Sequence, residues 1–286
     1  MNPLGVLLGL VSAASWGTAD FLGGFATRRV PALATAAASQ TIGLLGALAI
    51  VVLVREPMPG TAALAWGAVA GLAGLAGIVA LYRVLADGTM SIASPVAGVI
   101  GAGLPVLAGF AFGDRVATTG LAGIACGLVA IAAVSGLGGG RPMGAEVRRM
   151  LPLILAAGVG FAGFFLGIDQ AVRAGGMTWW PLVAARATTV AVSLVLVARS
   201  AAPGALGGSW RLLVLVGLGD LMGNAFFLLA HAQGALSTAV VLSSLYPVAT
   251  VMLARLVLRE RLQRGQAIGV GLALVGVVLI ALPAGA

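Results

Sequence analysis

Lysine is absent from this sequence, and cysteine and histidine occur once each, as Cys126 and His231. A single cysteine excludes an internal disulfide. One thiol and one imidazole are too few for a protein-built zinc site, so no metal or other cofactor is expected. Charge is scarce as well. Only 8% of the 286 residues are charged, against roughly a quarter in a soluble domain. With 60% hydrophobic residues and a mean hydropathy of +1.13, the chain cannot cover itself with polar surface. That excludes a water-soluble globule and makes the lipid bilayer its solvent. The N-terminal "MNPLGVLLGL" lacks the basic stretch of a signal peptide and reads as the start of a first span.

What is present fits lipid. The 44 glycines allow helices to approach closely. All 16 basic residues are arginines, giving a net charge of +8. They fall mostly in short gaps between apolar runs and form no basic stripe with interleaved aromatics. Nucleic acid is therefore not an expected partner, and topology control explains the arginines better.

A span needs about 20 apolar residues. Such runs lie at 4–25, 32–54, 61–85, 89–112, 116–137, 151–172, 177–198, 211–233, 236–258 and 265–283. The expected fold class is an all-α membrane protein of ten transmembrane helices. The longest gap, "LGGGRPMGAEVRRM", divides it into a first half (1–138), a linker (139–150) and a second half (151–286). A shift of 146 residues lays "ADGTMSIA" (86–93) on "AQGALSTA" (232–239), "FGDRV" (112–116) on "LRERL" (258–262), and Gly123 on Gly269. Matching loops as well as matching small residues point to a duplication. Five spans is an odd number, so the second half enters the membrane upside down. Inverted repeats recur in secondary transporters, with the site near mid-membrane where the halves meet.

The ten spans, the two five-span repeats, the "WG" of the first span and "LYPV…LRERL…G" (Leu245 to Gly269) together resemble the drug/metabolite transporter superfamily. Within it, the EamA-like ten-helix exporters are the most similar. Glu260 stands where that family has Glu after the ninth span. Asp114 takes this place in the first half, Gly101 replaces the Pro matching Pro247, and Pro105 lies one turn later. The resemblance implies export of small solutes, among them amino acids, related metabolites or drugs, by a monomer. The expected location is a prokaryotic plasma membrane, crossed many times.

An ionisable group at the centre of a span costs about 2.5–3.5 kcal/mol on insertion scales, so it faces a cavity or a partner. Arg186 in the seventh span and Asp220 in the eighth are deep, and Asp20 is between the middle and the end of the first. Asp220, Asn224, Phe227 and His231 follow at intervals of four, three and four, which places them on one helix face. That stripe reads as a cavity wall or as a hydrogen-bonded seam. Arg186 reads as a bidentate clamp for a carboxylate, or as the partner of Asp220. The repeat shift lays it on Gln40. Asp20 shares a face with Trp16. It reads as a border of the translocation path, binding a cationic group or carrying a proton, or as an interfacial residue paired with Arg28. His231 is either a proton shuttle or a hydrogen-bonded residue near the membrane surface. Protons are thus a candidate coupling ion through Asp20, Asp220 and His231.

Tyr82 and Tyr246 join Trp16 as cavity candidates. Trp179 and Trp180 begin a span and read as interfacial anchors, and Trp66 and Trp210 also lie near span ends. Asp169 and Arg173 read as a local pair. Pro95, Pro105 and Pro247 interrupt the fourth and ninth spans, as gating kinks or as fixed bends. An intramembrane enzyme would need a nucleophile with a base, or a metal set. Asp220, Asn224 and His231 supply neither a second histidine nor an adjacent Ser or Cys, so the chain does not read as an enzyme. A purely structural bundle leaves the repeat and the deep charges unexplained.

Orientation is open at this level. The gaps opposite the termini hold Arg28, Arg29, Arg83, Arg141, Arg148, Arg149, Arg199, Arg211, Arg259, Arg261 and Arg264, against Arg55, Arg115 and Arg173 on the terminal side. The positive-inside rule then places both termini outside the cytoplasm. The family resemblance implies termini inside.

Overall fold

In the computed structural model, the described residues are 3–86, 90–111, 118–134, 145–175, 179–200, 209–233, 242–243, 245–262 and 264–281. Among them the secondary structure is helical, without strands. The helices are α1 (Pro3–Thr27), α2 (Ala32–Val54), α3 (Thr61–Ala86), α4 (Met90–Ala111), α5 (Thr118–Val134), α6 (Ala145–Arg173), α7 (Trp179–Arg199), α8 (Trp210–Ala232), α9 (Tyr246–Val257) and α10 (Arg264–Ala281). Six of them, α1, α2, α3, α6, α7 and α8, are long and apolar enough to cross a membrane; the other four contain shorter apolar stretches. In lipid every backbone group must be satisfied within the protein, and helices do this locally.

α6 begins at Ala145, inside the segment expected to be linker. Its apolar stretch runs Arg149–Arg173. The first turn is polar, so hydropathy alone misses it. Pro95 and Pro105 lie inside α4 as expected. Pro247 does not lie inside its helix: it occupies the first turn of α9 behind an N-cap at Leu245. There its missing N–H removes no helical hydrogen bond. Leu245 N–H donates to the Leu242 C=O at 3.3 Å before it, and Val248 N–H donates to the C=O of the N-cap Leu245 at 2.9 Å, closing the first turn around it. Asp114, residues 139–144 and the side chain of His231 lie outside the described residues.

Helix packing follows a regular exchange of partners. α1 packs along α8, and α3 along α6; α2 meets α8, and α3 meets α7; α1 meets α9, and α4 meets α6. α2 pairs with α7, α4 with α9 and α5 with α10. Two close crossings depend on glycine. A Cβ on Gly71 would strike the Ala185 carbonyl, and one on Gly217 would strike the Ser39 carbonyl. Each residue of the first contact is 146 positions from its counterpart in the second. Small residues at such crossings let backbones approach where lipid supplies no hydrophobic drive.

Two acidic side chains outside the spans fasten helix ends. The Glu260 carboxylate accepts from the Met90 and Ser91 N–H groups at 3.2 and 2.9 Å, capping α4 from the segment after α9. Glu56 accepts from the Trp179 N–H at 3.2 Å and caps α7, while Trp180 Nε1 donates to the Glu56 carbonyl at 3.0 Å. A helix N-terminus has unpaired N–H groups and a positive dipole end, so a carboxylate is suited to both.

Candidate functional site

The deep charges meet where α2, α7 and α8 converge. Arg186 Nη2 pairs with Asp220 Oδ2 at 2.6 Å, and its Nη1 donates to Gln40 Oε1 at 2.9 Å. The guanidinium lies against Gly43, where a Cβ would collide with it. Arg186 is 3% exposed, and its Nε–H has no acceptor among the described residues. The Asp220 side chain keeps 24% of its surface. The arginine is thus enclosed and its partner carboxylate is reachable. Of the two readings open for Arg186, the ion pair with Asp220 is formed.

Asp20 lies near this pair, within electrostatic reach of Asp220, Tyr82 and Tyr246. It is half-buried and has no cationic partner among the described residues. Arg28 does not pair with it: its guanidinium lies over the Phe25 ring, 5.8 Å from the centroid. Two carboxylates therefore share the region with one guanidinium.

Aromatic residues surround the carboxylates. Trp16 faces Phe227 with ring centroids 6.1 Å apart and rests on Gly223, whose carbonyl accepts from Ser12 Oγ at 2.7 Å. Tyr82 is buried on Gly23, and its hydroxyl engages Ser39. Tyr246 reaches toward Gly98 of α4 and is half-buried. Thr250, one turn on, donates from Oγ1 to the Gly17 carbonyl at 3.0 Å, locking α9 to α1. Asn224 turns along its own helix, donating from Nδ2 to the Asp220 carbonyl at 2.8 Å.

Trp16, Asp20, Gln40, Tyr82, Arg186, Asp220 and Tyr246 are thus neighbours drawn from both halves of the chain. Ser12, Ser39, Gly43 and Thr250 also support the cluster and were not legible in the sequence, because a small residue in a small-residue-rich chain carries no periodic signal. Asp169 and Arg173 form the expected exposed local pair at 2.7 Å, remote from the cluster. Two grooves, of about 360 and 490 Å³, lie on the flanks of the bundle and do not include the cluster. Among the described residues no group of three His, Cys, Asp or Glu side chains is placed to hold a metal ion.

No curated protein matches this chain. A solved structure described only as the crystal structure of a protein is similar with a TM-score of 0.64. The identity is 22%, over 98% of this chain and 96% of that one, which is a likeness of fold. Residues 3–136 and 148–282 each match the EamA-like transporter family, to which the chain therefore belongs.

Proposed function

We propose that this membrane transporter is a secondary carrier that exports small polar or amphipathic metabolites, amino acids or related compounds among them. The carrier would work by alternating access of two inverted five-helix halves, 1–138 and 151–286. The observation that carries the reading is the Arg186–Asp220–Gln40 cluster, a charged group at mid-span depth built from both halves. Such a group is costly in lipid and is retained where it contacts solute or ion. The exchange of helix partners, and the crossings at Gly71 and Gly217 related by one offset, support the inverted relation. A solute carboxylate would compete with Asp220 for the guanidinium. The ion pair would re-form on release and hold the empty carrier together.

A second reading, efflux of cationic amphipathic compounds, is favoured by Asp20. It is a half-buried carboxylate without a cation partner among the described residues, with Trp16, Tyr82 and Tyr246 nearby. Aromatic faces and a carboxylate together suit an organic ammonium. A flux screen in proteoliposomes against amino acids, nucleosides, sugars and cationic drugs separates the two. Preference for carboxylate-bearing solutes that disappears in Arg186→Ala supports the first reading. Preference for cations that disappears in Asp20→Asn supports the second. Absence of flux for every class rejects the carrier.

A further inference from the structure

The 360 Å³ groove opens between α2, α3, α6 and α7. Its wall is aliphatic, including Leu33, Leu72, Leu75, Val79, Leu153 and Leu196, and its one charged lining residue is Arg83. Packing contacts fix which helix ends surround it. α3 and α6 run antiparallel, since Gly77 meets Gly160 and Gly74 meets Phe164. α3 and α7 run parallel, since Gly67 meets Pro181 and Gly71 meets Ala185. The end of α3, the start of α6 and the end of α7 therefore lie at one face of the bundle. Each brings an arginine there: Arg83, Arg149 one turn before Leu153, and Arg199 three residues after Leu196. All are exposed. Among the described residues the ion pairs are Arg173–Asp169 and Arg186–Asp220, so none of these three meets a carboxylate.

We propose that this groove is a binding site for one anionic phospholipid. An acyl chain lies along the leucine wall, and the phosphate rests on Arg83 with Arg149 and Arg199 beside it. A guanidinium offers phosphate a planar fork of donors, and basic pockets between transmembrane helices take anionic headgroups. Shape and charge point the same way: an apolar slot accepts a chain, and arginines with no carboxylate partner among the described residues select an anion at its mouth. The second groove provides an internal contrast. It lies between α3, α4 and α6, lined by residues such as Trp66, Val69 and Gln170, with no charged lining residue. It has the shape for a chain but nothing to select a headgroup.

Native mass spectrometry of the full chain in detergent, with equimolar phosphatidylglycerol and phosphatidylcholine, tests this. Wild type retains phosphatidylglycerol preferentially, by about fivefold for each arginine that reaches the phosphate. Arg83→Gln, an exposed change, lowers that preference about fivefold. Ala76→Phe fills the slot from an exposed lining position and reduces retention of both lipids. Glycerol phosphate, a headgroup without chains, fails to displace phosphatidylglycerol. Equal retention of the two lipids by wild type, or unchanged selectivity in Arg83→Gln, overturns the proposal. So does undiminished retention in Ala76→Phe, or displacement by glycerol phosphate at equal concentration, which would make the site one for free phosphate.

Discussion

Arg186 Nη1 donates to Gln40 Oε1 at 2.9 Å, and the two residues are 146 positions apart. That is the offset that superimposes the halves of the sequence. Residues at equivalent positions of two related halves can touch only near the axis that relates them. The contact therefore fits a relation in which α2 and α7 cross on that axis, with Gly43 giving the guanidinium its space. Asp220 adds the charge partner at 2.6 Å. It has no acidic counterpart, because the same offset lays it on Gly74.

Removing Arg186 alone should be costly. Arg186→Ala leaves Asp220 without its partner, and breaking a buried pair from one side costs about 3–5 kcal/mol. Arg186→Met combined with Asp220→Leu removes both charges and should recover most of that stability while transport stays lost. Unfolding in detergent micelles and flux in proteoliposomes, measured on the same variants, separate the two effects. A double variant as unstable as Arg186→Ala would show that the pair is not what holds the site.

The paired crossings give a prediction of equivalence. Gly71→Ala and Gly217→Ala each drive a methyl into a facing backbone carbonyl, so each should cost about 1–3 kcal/mol. Gly271→Ala, at an exposed position inside α10, meets nothing within 4 Å and should be neutral or slightly stabilising. Unfolding midpoints of the three variants check this. Free tolerance at either crossing would contradict the close approach.

Glu56 should impart a pH dependence to stability. Burial pushes its carboxyl above the usual value of 4.5, and the Trp179 N–H draws it partway back. The folded chain therefore binds this proton more tightly than the unfolded chain. Its stabilising contribution is present at pH below 4.5 and is lost as pH rises through the raised value. Glu56→Gln keeps an acceptor for Trp179 but does not titrate. The difference in melting temperature, wild type minus Glu56→Gln, should fall as pH rises above 4.5; a rising difference would reverse the assignment.

Asp20 should govern any proton coupling. Asp20→Asn preserves shape and removes the charge, so pH-dependent flux should flatten in that variant. Asp220→Asn should weaken flux and stability together, because it also releases Arg186. Flux that keeps its pH profile in Asp20→Asn would move coupling to another group.

Much of this was readable in advance. Helices such as α2 end at the residues where apolar runs end, since in lipid the length of an apolar run sets the length of a helix. The unusual depth of Arg186, Asp220 and Asp20 was visible for the same reason. The caps were not. Glu260 and Met90 are 170 positions apart, as are no periodic signals. Glu56 reaches Trp179 across 123 positions in the same way. The break before Pro247 was misplaced because a proline in an apolar run looks the same inside a helix and at its first turn.

Sequence alone determined the solvent of this protein, its helical class, its duplicated organisation and the few ionisable groups carried to depth. These follow from composition and spacing along one chain. Tertiary structure decided the pairings: Arg186 with Asp220 and Gln40, Arg28 with Phe25 instead of Asp20, and Asp20 left without a cation among the described residues. The reason is physical. Helices in lipid choose neighbours by close packing at small residues, and that choice fixes which polar groups, far apart in sequence, come within bonding distance.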